Sequence, residues 1–168
     1  MTISMYQASV PVFIRNMNNL VGILEKAAAH AEAKKIDPAV FLGLRLFPDM
    51  LPFTKQIQIA SDSAKGGAAR LAGMEPPVYE DNEKSFAELI ARVQKTIDYL
   101  NTFKPEQIDG SEEKVVTIKG RDTTLTYRGQ DFLLHRALPN LFFHITTAYA
   151  ILRGNGVELG KKDFLGRS

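Results

Sequence analysis

The chain contains no cysteine, which excludes disulfides, thiolate metal sites and a cysteine nucleophile. Histidine is scarce: His30, His135 and His144 are the only three in 168 residues. Charge of one sign is not in excess. The formal net charge is +2 with both signs interspersed, so no basic stripe speaks for a nucleic-acid partner. A long hydrophobic run is also missing. The longest largely apolar stretch, Ala137 to Ile151, is interrupted by Pro139, Asn140, His144 and Thr146 and is too short to span a bilayer. Met1-Thr2-Ile3-Ser4-Met5-Tyr6 lacks the basic segment and apolar run of a signal peptide. There is no phosphate loop, nucleophile elbow, paired-His metal helix or dinucleotide fingerprint, and Gly66-Gly67 lies inside a helical pattern. These absences predict a soluble, cytoplasmic protein with neither a nucleic acid nor a membrane as partner. At 45% hydrophobic and 24% charged, the chain is expected to form one domain, residues 1–168, with a full core.

What is present is helical periodicity. Tyr6, Val10, Phe13, Met17, Leu20, Leu24, Ala27 and Ala31 alternate spacings of four and three, the seam of a long amphipathic helix that needs partner helices. Pro11 is expected to kink it or to mark an irregular first turn. Asp37-Pro38 is an N-cap followed by Pro at the first helical position and predicts a short helix to Leu46. Asp49 is read as the cap of a helix from Met50 to Ala72 with Phe53, Ile57, Ala60, Ala64 and Leu71 on its core stripe and Gln56 and Ser63 beside it. Gly66-Gly67 within it predicts a close crossing by another backbone. After Pro76-Pro77, a helix capped by Asp81 or Asn82 carries Phe86, Val93, Ile97, Leu100 and Phe103, with Glu88–Arg92 as an i, i+4 ion pair. Val115–Ile118 and Thr123–Tyr127 are β-branched runs around Lys119-Gly120-Arg121-Asp122 and predict a small hairpin. Gln130 to Leu138 reads as a short helical lead-in to a buried helix over Pro139–Arg153, stopped by Gly154 and Gly156. The tail, Val157–Gly166, reads as irregular and packed back over the bundle. The fold class expected is all-α: a four-helix bundle with extra short helices, one long connection and a β-hairpin between helices three and four.

Several blocks carry a resemblance over nearly the whole chain. They are Ser4-Met5-Tyr6-Gln7-Ala8-Ser9-Val10-Pro11, Phe47-Pro48-Asp49-Met50, Gln56-Ile57-Gln58-Ile59-Ala60, Ala69-Arg70-Leu71-Ala72-Gly73 and Pro139-Asn140-Leu141-Phe142-Phe143-His144-Ile145-Thr146-Thr147-Ala148-Tyr149. Together they resemble a family of domains of unknown function within the DinB-like (YfiT-like) superfamily. The resemblance implies a DinB-like four-helix bundle, a homodimer and, in many members, a divalent metal such as Zn or Ni held by three His. Two of those ligands lie nine and thirteen residues before the Arg of a Leu-Arg pair. Counting from Arg153 places them at His144 and Asn140. The third lies on the second helix, where Gln56 is the best match, ahead of Asp49 and Asp62. The departure is plain: one imidazole and two amides replace three imidazoles.

Asn140 and His144 share one face of the last helix, and polar groups turned toward a core require partners. The candidate ligand pocket is Gln56, Asn140, His144, Asp49 and Tyr149, and the candidate metal ligands are His144, Asn140 and Gln56. Each has a plainer alternative: a buried His bonded to a carbonyl or to Gln56, an Asn near a helix start, an interhelical amide, an Asp cap, a core Tyr. Arg45 and Arg70 are cations able to hold an anionic substrate, but surface or interhelical ion pairs are the better expectation for both. Two functional expectations follow. One is a bundle protein keeping a degenerate metal-site pocket, binding a small molecule or acting through dimerisation. The other is a divalent-metal-dependent enzyme of the thiol-transferase or hydrolase type, with a metal-bound water activated at His144.

Overall fold

A computed structural model of the protein describes residues 3–120 and 122–166. Met1, Thr2 and Arg121, which entered the readings of the N-terminus and the hairpin turn, lie outside the described residues. Helix α1 (Met5–Lys34) starts at a capping box: Ser4 Oγ accepts from Gln7 N and Gln7 Oε1 accepts from Ser4 N, each at 3.3 Å. Its seam is buried from Val10 to Ala31, with Tyr6 half-buried. The helix runs through Pro11, whose ring sits on the exposed side of the second turn.

Helix α2 (Pro38–Gly43) uses the expected Asp37 cap but stops short of Leu46. Helix α3 (Phe53–Leu71) does not start at Met50, and Asp49 does not cap it. Pro52 forces the preceding residue out of helical geometry, so Pro52 itself takes the cap position with extended backbone (ψ 164°). Asp49 lies in an exposed turn closed by Met50 N–H donating to Phe47 O at 3.0 Å. Helix α4 (Phe86–Leu100) is capped by Ser85, whose hydroxyl accepts from Glu88 N at 3.1 Å, and not by Asp81 or Asn82. Those two belong to an extended strap, 74–84, that runs back along the bundle.

A one-turn helix α5 (Pro105–Ile108) precedes the hairpin of β1 (Val115–Lys119) and β2 (Thr124–Arg128), antiparallel with Thr117 opposite Thr126. Val116 is buried and Ile118 half-buried where the hairpin lies on the bundle. The lead-in to the last helix begins at Gly129, one residue before the expected start, and is continuous with that helix. Helix α6 (Gly129–Phe132) passes through a π-helical turn at Leu133–Ala137 into α7 (Leu138–Gly154). Leu138 N–H donates to Leu133 O across that wider turn, just before Pro139, which has no N–H to give. The tail is not wholly irregular: α8 (Lys161–Leu165) packs against α1, with Lys26 Nζ 2.7 Å from Asp163 and Asn19 donating to Phe164 O at 2.9 Å.

Helices α1 and α4 pack together, as do α3 and α7, and α3 and α4 close the core between them. Tyr6 near the start of α1 reaches Phe103 O beyond the end of α4 at 3.4 Å, so that pair is antiparallel. Phe53 and Phe86 meet at the starts of α3 and α4 (6.1 Å between ring centroids), so those two run parallel. The 74–84 strap is therefore the one long crossover of a four-helix bundle. The buried centre is Phe13, Met17, Leu20 and Leu24 against Phe53, Ile57, Leu89, Val93, Leu141 and Ile145. Among the described residues no helix is long and apolar enough to cross a membrane.

Candidate functional site

Helices α3 and α7 run antiparallel, and two polar pairs join them. His144, 8% exposed, places Nδ1 2.7 Å from Gln56 Oε1, and Gln56, 1% exposed, donates from Nε2 to Leu51 O at 2.9 Å. The second bond fixes the first. With Nε2 spent on a carbonyl, Oε1 faces the ring, and an amide oxygen can only accept. His144 Nδ1 therefore carries the proton and Nε2 carries the lone pair. Burial holds this imidazole below its ordinary pKa, which keeps it neutral near pH 7. Two turns further along α3, Asn140 Nδ2 donates to Ser63 Oγ at 2.7 Å, and Ser63 Oγ donates to Ile59 O at 2.7 Å. The hydroxyl proton is thus committed, so the Asn140 amide must present nitrogen, and its second N–H remains available.

Of the residues expected in the site, Gln56 meets His144, while Asn140 meets Ser63 instead of joining them. Tyr149 is half-buried against Phe164 of α8, 6.4 Å between ring centroids, and Asp49 stands in its exposed turn; neither reaches the His144–Gln56 pair. Arg45 donates to Met50 O and braces the α2–α3 turn.

The Asn140–Ser63 pair forms part of the wall of a cleft of about 170 Å3 between α3, the π-helical turn and the hairpin. Ile59, Arg70, Phe132 and Arg136 complete much of its lining. Arg136 was not singled out in the sequence, because its place depends on the π-helical turn. The paired glycines of α3 are explained here. A Cβ on Gly67 would stand 2.8 and 2.9 Å from the Phe13 ring, and one on Gly66 would overlap Arg70 Nη1. Side chains make the close approach there, and not the backbone of a crossing helix.

A second polar cluster was also missed. Arg92 does not pair with Glu88 along the surface of α4. It is 4% exposed and turned inward. It donates to Glu83 at 2.9 Å, Glu80 O at 3.0 Å and Asp62 at 3.1 Å, and lies 3.1 Å from Asp81. Glu88 instead accepts from Lys84 N. Lys55 bonds Asp81 and Gln58 Nε2 bonds Glu83, each at 2.7 Å. The Tyr79 ring carries Lys65 and Lys95 on its faces at 4.5 and 4.3 Å. Burial alone would raise the pKa of Glu83 and Asp81, but hydrogen bonds from Arg92 with Gln58, and from Lys55 with Arg92, outweigh it and hold both low. The cluster is charge-compensated and fastens the strap to α3 and α4.

A metal ion does not fit the α3–α7 donors. Gln56 Oε1 is engaged by His144 and the Asn140 nitrogen faces Ser63, leaving one imidazole, a poor set for Zn or Ni. Among the described residues no three His, Cys, Asp or Glu side chains are grouped to hold an ion.

A solved structure described as a DinB family member protein from Shewanella denitrificans is 42% identical, superposes with a TM-score of 0.87, and is matched over 97% of this chain and 92% of that one. The chain belongs to the domain of unknown function family DUF1993, which matches residues 5–165. No curated protein of established function matches it.

Proposed function

We propose that this DinB-like protein binds a small molecule in the α3–α7 cleft and does so without a metal ion, the His144–Gln56 pair serving to set the helices that frame the cleft. The observation that carries this reading is the Asn140–Ser63 pair. It holds an amide in a defined orientation, with a donor to spare, on the wall of a 170 Å3 cleft. Pockets of this kind fix orientation with a few placed polar groups among apolar ones, and Ile59 and Phe132 supply the apolar share. Cytoplasmic residence and association of two copies belong to the same reading. Exposed Phe142 and Phe143 on the outer face of α7 support association, and sedimentation at micromolar concentration tests it, a strictly monomeric species counting against it.

The test of the binding site is a thermal-shift survey of small polar metabolites on the untagged chain, repeated on Ser63→Leu. A compound that raises the unfolding midpoint of the native chain and leaves that of the filled cleft unmoved supports the reading. Midpoint shifts that persist unchanged in Ser63→Leu contradict it.

A further inference from the structure

We propose that the cleft is a seat for the phosphate or carboxylate group of a small molecule, with Arg70 and Arg136 supplying charge and Asn140 a directional donor. The inference rests on the ligand-binding reading above and adds the chemical class of the ligand.

Three observations carry it. First, the charge on the cleft is uncompensated. Arg70 and Arg136 both line it, and neither forms an ion pair or side-chain hydrogen bond with the described residues. The carboxylate on the same wall, Asp62, is already held by Lys65 Nζ at 2.8 Å and Arg92 Nη2 at 3.1 Å. It therefore does not neutralise the two guanidinium groups. Guanidinium groups match the planar or tetrahedral oxygens of carboxylate and phosphate better than any other side chain.

Second, the Arg70 head group lies against α3 at Gly66. A Cβ at position 66 would overlap its Nη1, so any larger residue there would make the guanidinium shift from this position. Glycine weakens a helix interior, and here its use leaves the Arg70 head group beside the cleft.

Third, one donor group is held in a fixed orientation. The Asn140 amide is forced by Ser63 to present its nitrogen, and one N–H is left over. The volume, about 170 Å3, equals roughly five or six molecules of liquid water. That admits a phosphate group or a short dicarboxylate.

The experiment is a heteronuclear NMR titration of the full chain at low ionic strength, with inorganic phosphate and succinate as separate probes and glycerol as a neutral one. Saturable shifts at the Gly67 amide, the Asn140 side-chain amide and Arg70 Nε are expected with at least one anion, and which anion saturates identifies the group. Arg70→Gln and Arg136→Gln are each expected to raise the dissociation constant about tenfold, the effect of losing one charged hydrogen bond. Gly66→Ala retains both charges and adds a better helix former. It is expected to displace Arg70 and weaken anion binding several-fold without lowering the unfolding midpoint. Shifts that grow linearly without saturation, or affinities unchanged in both arginine variants, overturn the proposal. Saturation by glycerol but by neither anion overturns the charge assignment and leaves the cleft as a ligand site. Silence at Asn140 and Gly67 with all three probes counts against both.

Discussion

Replacing Gln56 by Leu should cost more than replacing both Gln56 and His144 would suggest if the two acted separately. Gln56 is 1% exposed and its oxygen is met by His144 Nδ1 at 2.7 Å. Gln56→Leu leaves a buried ring N–H with no acceptor, a penalty of about 1–3 kcal/mol. The Leu51 carbonyl also loses its donor, but Leu51 is exposed and water replaces it. About 2 kcal/mol is therefore expected for this variant. His144→Leu leaves the Gln56 oxygen buried and unmatched, again about 2 kcal/mol. In the double variant both polar groups are gone and side chains of comparable size pack across the seam, so the loss should stay near that of one single variant. The coupling is then about 2 kcal/mol. Equilibrium urea unfolding followed by circular dichroism, with m held common, measures it. Each single variant should lower the thermal midpoint by about 4–8 °C. Losses that add to within about 0.5 kcal/mol would refute the reasoning, since uncoupled sites behave that way.

Two further outcomes follow from the charged groups. Burial holds His144 below its ordinary pKa, so the unfolded chain binds the extra proton first. Stability is whole above about pH 6.5 and falls as pH drops from there through the folded value; His144→Leu should flatten that part of the profile in pH-dependent urea unfolding. Arg92→Met breaks a pair in which the Glu83 side chain is 9% exposed, whereas the Asp62 and Asp81 side chains are 44% and 39% exposed. Counting only the Glu83 pair, about 3 kcal/mol is expected, read by urea unfolding; a loss under about 1 kcal/mol would place the cluster with ordinary surface ion pairs.

The α1 seam was legible because one side of a long helix faces the core, and the 4-3 spacing states this directly in Val10, Phe13, Met17 and Leu20. The hairpin was legible from β-branched runs, and the approach of α3 to α7 from Gln56 and His144. The misses have common causes. Asp49 and Asp81 looked like caps because cap preference is local, whereas the backbone of Leu51-Pro52 and the pull of Lys55 and Arg92 on Asp81 decided where α3 and α4 begin. Arg92 satisfies a surface pairing rule with Glu88 equally well on paper; only the return of the strap over α4 turns it inward. The π-helical turn at Leu133–Ala137 has no sequence signature, so Arg136 could not be placed beside Arg70 and Asn140. Periodicity reports which face is buried, and long-range polar bonds report what that face is for.

The central claim is that an amide, and not an ion, holds His144 across the α3–α7 seam. Elemental analysis of the untagged protein, exposed to equimolar Zn and Ni and then desalted, tests it most directly, alongside His144→Ala. Metal well below one ion per chain, with no rise in the unfolding midpoint on adding either metal, is the expected result. One ion per chain that is lost in His144→Ala would contradict the account.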